Sequence, residues 1–189
     1  MPTSILNIDT ALEYFRAIVE STDDAIIGKS IDGIITSWNP GAQAIFGYSP
    51  VEMIGQSIYT LIPLDRRSEE DAIVTKLRRG ERVTHFETQR VHKDGRLLDV
   101  SVTVSPIHDE HGKLLGASKI ARNITAQKAV QARLQLISKV FIHTGEGVVI
   151  TDPQGIILEV NEAFTRITGY DYGDVIGEHP RMFLSLIHI

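Results

Sequence analysis

The strongest signal along the chain is an alternation. Leu98, Val100, Val102 and Val104 interleave with Asp99, Ser101, Thr103 and Ser105, the period of two that gives a strand one buried and one solvated face. Asp94-Gly95 and His111-Gly112 stand on either side as hairpin turns, so a strand starting at Val83 and another from Leu114 to about Ile124 are expected to flank it. From Ser68 to Gly80 the period is that of a helix, with Ile73 and Leu77 on its inner face. Glu69, Glu70 and Asp71 fall in its first turn and Lys76, Arg78 and Arg79 in its last, where each sign complements the macrodipole. Earlier in the chain, Ile26-Ile27 and Ile34-Ile35 are short β-branched runs around Asp32-Gly33, which reads as strand, turn, strand. Asn39 and Pro40 then suit the N-cap and first position of a short helix that Gly47 ends. Ser49 and Glu52 form a capping box before a turn closed by Gly55.

Much of this is written twice. Asp32 to Gly55 aligns without gaps to Gln154 to Gly177 at a constant offset of 122 residues, with nine of 24 positions identical, where ordinary amino-acid usage would give about one or two. Asn161 and Asp171 stand at the corresponding cap positions of the second copy. Strands joined by tight turns pair antiparallel, and the helices have only the apolar face of that sheet to cover, so the expected fold class is α+β. Ala126 to Ile142 lacks Gly and Pro and spaces Val130, Leu134, Ile137 and Phe141 at heptad intervals, the pattern of an amphipathic helix or a short coiled coil. A similar stretch, Ala11 to Glu20, precedes the first copy.

The expected organisation is a helical flank (1–21), a first domain (22–125), a helical linker (126–143) and a shortened second domain (144–189). Counted from Thr144, the second copy has 46 residues against 102 from Thr22 to Asn123, so the long helix and the three-strand half of the sheet are expected to be missing from it. Leu184 to Ile189 is expected to be a ragged, weakly ordered end.

In order and spacing, these motifs resemble the PAS family of sensory domains. The resemblance is carried by the strand pair, the capped helix ending Phe46-Gly47-Tyr48, the turn Val51 to Gly55, the hairpin His92 to Arg96 and the closing run Gly116 to Thr125. It covers Thr22 to Thr125 and recurs from Thr144 to about Met182. It implies a five-stranded antiparallel sheet flanked by short helices around a small pocket. The implied function is sensing a ligand, redox state or partner and relaying it through a helix to an output domain, such as a histidine kinase or a cyclic-dinucleotide enzyme. It further implies a homodimer formed through the flanking helices, with a ligand-free dimerisation module as the alternative. The family's closing Asp-Ile-Thr triad appears here as Asn123-Ile124-Thr125. Asn replaces Asp, so a salt bridge is lost while a hydrogen bond is kept. Thr125 is then the expected N-cap of the linker helix.

Composition narrows the chemistry. The sequence contains no cysteine, which excludes a photosensor that forms a cysteinyl-flavin adduct as well as thiolate metal sites. No histidine lies between Gln56 and Thr84, which argues against haem held by an axial ligand on the long helix. Non-covalent flavin, or no cofactor, is left. Trp38, Asn39 and Phe46 are the candidate pocket residues, with Val102 and Val104 completing the lining, set against the plainer reading that these side chains are core packing. The histidines show no metal-ligand spacing, and there is neither a nucleophile elbow nor a phosphate loop, so the chain is not expected to be an enzyme. A net charge of -5 gives no reason to expect nucleic acid as a partner. No run of apolar residues is long enough to span a membrane and no leader precedes the first helix, so the expected setting is cytoplasmic.

Overall fold

The computed structural model describes residues 8–184 and divides into two compact units that meet between Lys128 and Ala129. The ragged end expected at 184–189 lies, past Leu184, outside the described residues.

The first unit opens with helix α1 (Ile8–Ser21), followed by strands β1 (Ala25–Ser30) and β2 (Ile35–Trp38). Two short helices follow, α2 (Pro40–Phe46) and α3 (Pro50–Met53), then two 3₁₀ turns and the longer helix α4 (Arg67–Arg78). Strands β3 (Val83–Val91), β4 (Leu97–His108) and β5 (Leu114–Asn123) complete one antiparallel sheet in the order β2-β1-β5-β4-β3. The first and last strands of the domain therefore lie side by side, and β5 fills the gap between the two hairpins. That pairing needs Gly116, because a β-carbon there would collide with the carbonyl of Lys29.

Alternation sorts the sheet as expected. Ala25 and Ile27 of β1, Val100, Val102 and Val104 of β4, and Ala117 and Ala121 of β5 are buried under Ala42, Phe46, Met53, Ile58, Leu61, Ile73 and Leu77 from the helical side. Of the Ile34-Ile35 run only Ile35 is buried; Ile34 is 40% exposed and bridges to Ser57.

The second unit repeats the opening of the first. Strands β6 (Val149–Thr151) and β7 (Ile157–Val160) form a two-stranded antiparallel sheet, and helices α6 (Glu162–Thr168), α7 (Tyr172–Val175) and α8 (Arg181–Leu184) follow. Its small core is Ile157, Val160, Phe164 and Val175. Helix α5 (Thr125–His143) runs without a break across the boundary between the units.

The duplication extends to individual hydrogen bonds. The Asn39 side chain accepts from the backbone N–H groups of Ile26 and Ala42 and donates to the carbonyls of Val19 and Asp24. Asn161 does the same with Val148, Phe164, Phe141 and Glu146, each 122 residues on. Each short helix is thereby capped, and each Asn also holds a carbonyl near the end of the preceding helix. Gly47 and Gly169 close the two capped helices in the left-handed region, at φ of 79° and 77°, a conformation that glycine adopts without steric cost.

Candidate functional site

The sequence-derived pocket residues are packed against one another. Trp38, 7% exposed, donates its indole N–H to the carbonyl of Tyr48 at 2.9 Å, and its ring lies 5.8 Å from that of Phe46. Phe46, Val102 and Val104 are fully buried in the same core. Asn39 spends its amide on the four backbone partners above. Trp38 also borders a surface cleft, with Glu20, Gln43 and Pro50. An aromatic pair and two valines are thus brought together in one buried cluster.

The inner face holds a second group of side chains, and these are charged. Lys29 of β1 and Lys119 of β5 both point from these adjacent strands toward α4, where Glu70 receives them. Lys29 donates to one carboxylate oxygen of Glu70 and Lys119 to the other, the latter at 3.1 Å. All three side chains are essentially inaccessible to solvent. Beside them Glu69 accepts from the Thr88 hydroxyl at 2.7 Å, from Arg90 Nη1 at 3.1 Å and from Arg66 at 3.2 Å. Arg90 Nη1 also donates to the Gln89 carbonyl and to the Thr88 hydroxyl. Arg90 Nη2 is buried and has no hydrogen-bond partner among the described residues.

The electrostatics follow from burial and pairing. Burial pushes the Glu70 carboxyl up, but Lys119 and Lys29 more than offset this and hold it below its ordinary range. Glu69 is likewise pushed up by burial and brought below its ordinary value by hydrogen bonds from Thr88 and Arg90. Burial, with Arg90 and Lys29 as near cations, lowers the Lys119 ammonium from 10.5 to about 8 against the opposing pull of Glu70. The interior therefore gathers three buried basic side chains, Lys29, Lys119 and Arg90, around two carboxylates. Two clefts flank α4: one of about 260 Å³ is bordered by Glu70, Tyr59 and Gly33, and another of about 280 Å³ by Glu69, Ile73 and Phe86.

Sequence reading missed this network. Glu69 and Glu70 were expected only to complement the helix dipole, yet Glu70 lies on the same face as Ile73 and Leu77 and is as buried as they are. A signal for it does exist. Lys29 continues the inward series Ala25, Ile27, and Lys119 sits between the inward residues Ala117 and Ala121. A charge in an inward register position demands a partner. On α4, the buried-face side chain one turn before Ile73 is this engaged carboxylate.

The relay residues are placed at the start of α5, with one correction. Thr125 is not the N-cap: it is the first helical residue, and its hydroxyl accepts from the Asp99 N–H of β4 at 3.0 Å. Asn123 takes over the local role, accepting from the Thr125 N–H at 3.0 Å. The polar side chain nearest the chain turn satisfies the first free N–H, which releases Thr125 to bond the neighbouring strand. Ile124 is buried and donates its N–H to the Asp99 carbonyl. Farther along α5, Val130, Leu134 and Ile137 are more than half exposed.

Comparison with known proteins agrees with this architecture. The model of the PAS fold family matches residues 13–124, and a PAS domain model matches residues 145–188. The chain is 30% identical over 171 residues to the signal transduction histidine-protein kinase AtoS of Escherichia coli, covering 88% of this chain and 27% of that protein. It is 25% identical to the oxygen sensor protein DosP of the same organism (92% of this chain, 22% of that one) and 25% identical to the sensor protein FixL of Bradyrhizobium diazoefficiens (85% and 32%). The chain thus spans at most about a third of the length of these relatives. Among solved structures, the PAS domain of a Colwellia psychrerythraea protein superposes with a TM-score of 0.58 at 28% identity, over 61% of this chain and 98% of that one. The PAS domain of an HTR-like protein from Haloarcula marismortui gives 0.52 at 27% identity, over 62% and 94%.

Proposed function

The chain belongs to the PAS family of sensory input modules, and from that premise we propose that its first domain (22–125) receives a signal and passes it through the helical linker (126–143) and the second domain (144–189) to an output domain. The output would be a histidine kinase or a cyclic-dinucleotide enzyme, since AtoS is by name a histidine kinase. This segment itself would contribute no catalysis. The exposed apolar faces of α1 and α5, with Leu12, Phe15, Val130, Leu134 and Ile137 open to solvent, would pair with those of a second copy. The setting would be the cytoplasm, where such enzymes find their nucleotide substrates.

One observation carries this reading: α5 is tied at both ends by a side chain. At its start the Thr125 hydroxyl is bonded to β4 through Asp99, and near its end the carbonyl of Phe141 is bonded to Asn161. A change in packing under the sheet would bias the helix at its first turn and be delivered at its last.

The test is to delete one residue between Gln131 and Lys139 in the full-length protein, which turns the rest of the helix by about 100°. Output should become independent of the signal; an unchanged response would refute the relay. A ligand-free dimerisation module is the second reading, favoured by the filled inner face. The visible spectrum of the purified protein separates the two where a coloured cofactor is involved, since flavin or haem would absorb and a ligand-free core would not.

A further inference from the structure

The sheet of the first unit has an open edge with a groove beside it. β3 is the last strand in the order β2-β1-β5-β4-β3, so one side of it has no neighbouring strand. The direction of its free backbone groups follows from β4. Asp99 bonds away from β3: its carbonyl accepts the Ile124 N–H and its own N–H goes to the Thr125 hydroxyl. In an antiparallel ladder the N–H and C=O of one residue point to the same side, so Gln89, which pairs with Asp99, and Glu87, which pairs with Ser101, turn theirs away from β4. The Gln89 carbonyl takes Arg90 Nη1. The N–H groups of Glu87 and Gln89 and the Glu87 carbonyl have no partner among the described residues. An edge of this kind is a template for another strand. Helix α4 runs antiparallel to β3, with Glu69 at Thr88 and Arg90 and Lys76 toward Val83. Between helix and strand lies an open groove of about 280 Å³, walled by Ala72, Ile73, Val83 and Phe86. Its two ends differ in charge. Glu69 is satisfied by Thr88, Arg90 and Arg66, whereas Lys76 and, one turn on, Arg79 are exposed and have no ion-pair partner among the described residues.

We propose that this edge docks an extended segment of a partner protein, apolar at alternate positions and acidic at its C-terminal end, added antiparallel to β3. The main chain of the segment bonds Glu87 and Gln89, as in strand addition generally. Strand side chains alternate between faces, so every second one enters the groove between Ile73 and Phe86 and is apolar, while the others lie beside Glu87 and Gln89 on the outer face and are polar. Antiparallel addition carries the C-terminal end of the segment toward Val83, and there Lys76 and Arg79 stand ready for its carboxylates. The bulge between Val83 and Phe86, where His85 has a φ of 50°, ends the regular edge at that point. The main chain thus gives affinity, the groove sets the spacing of the apolar side chains, and the two cations fix the polarity.

The probe is the synthetic peptide acetyl-Thr-Val-Thr-Val-Thr-Asp-Asp-amide, titrated into the 189-residue protein at pH 7 and low salt. Saturable one-to-one binding is expected. At saturation, hydrogen exchange at the Glu87 and Gln89 N–H groups should slow about tenfold, while exchange at Thr88 and Arg90, already bonded to β4, changes little. A peptide with Lys in place of both Asp residues should bind about fivefold more weakly, and a fully N-methylated copy should not bind. Glu87→Pro puts a ring where the edge N–H was and leaves the bonds to β4 in place, so it should weaken binding about tenfold. Should that variant not fold, Lys76→Glu decides, with an expected loss of about fivefold. The proposal is overturned if the peptide does not bind, if the lysine or the N-methylated peptide binds as well as the original, or if either folded variant binds it as the parent protein does. It is also overturned if the two edge N–H groups are already protected in a dimer of this chain, which would give the edge to a second copy. The assay needs no output domain. Its failure removes the docking edge alone, whereas an unchanged response after the α5 deletion removes the relay alone.

Discussion

Removing Lys119 should help the domain, while neutralising Glu70 should damage it. The asymmetry follows from two cations sharing one carboxylate in a dry interior. Lys119 is held at about 8 rather than 10.5, with burial the largest cause. At about 1.4 kcal/mol per pH unit, keeping it charged costs the folded state about 3 kcal/mol at neutral pH. Lys119→Met fills similar volume without that cost and leaves Glu70 paired with Lys29 alone, so it should be neutral or stabilising by about 1 to 3 kcal/mol. Glu70→Gln strands two buried ammonium groups and should cost about 3 to 5 kcal/mol.

The pH dependence carries the sign. Because the Lys119 pKa is lower in the folded protein than in the unfolded chain, the unfolded state binds the extra proton between pH 8 and 10.5. Stability therefore rises with pH through that window as the burial penalty is relieved, and the penalty is fully present below pH 8. Urea unfolding of the parent and of Lys119→Met at pH 7.5, 9 and 10 measures it, with Trp38, the only tryptophan, as the fluorescent reporter. The advantage of the Met variant should shrink as the pH rises. A difference that stays flat with pH, or a Glu70→Gln variant within 1 kcal/mol of the parent, would refute the reasoning.

Asn39→Ala breaks four bonds and uncaps α2, and should cost about 2 to 4 kcal/mol in urea unfolding. In a protein carrying Asn161→Ala instead, the tryptophan-reported transition of the first unit should not move, because Trp38 lies in that unit. Thr125→Val keeps the branched shape but loses the bond from the Asp99 N–H. Hydrogen exchange at Asp99 should speed up about fivefold, corresponding to about 1 kcal/mol.

The layout of the fold was legible because its signals are local. The period of two across Leu98 to Ser105 and the glycine turns at Gly33 and Gly95 each depend on neighbours a few residues away, and strands and hairpins appear there. The Asn39 and Asn161 caps were visible for the same reason. The charged network was not, since Glu70 meets Lys29 and Lys119 across separations of 41 and 49 residues. An inward lysine looks like an interruption of the apolar series until the strands are placed side by side. The bonding of Thr125 was misjudged for a related reason: its partner, Asp99, is 26 residues away, and a capping rule looks only at the next turn.

The paired asparagines also bear on how such a chain could grow. Helix α1 ends at Ser21 and α5 at His143, again 122 residues apart, so each capping asparagine follows a helix that stops at the same distance before it. Each copy then brings its own socket for the helix that arrives before it. A gene could add or drop modules one at a time, without evolving a new joint at every step.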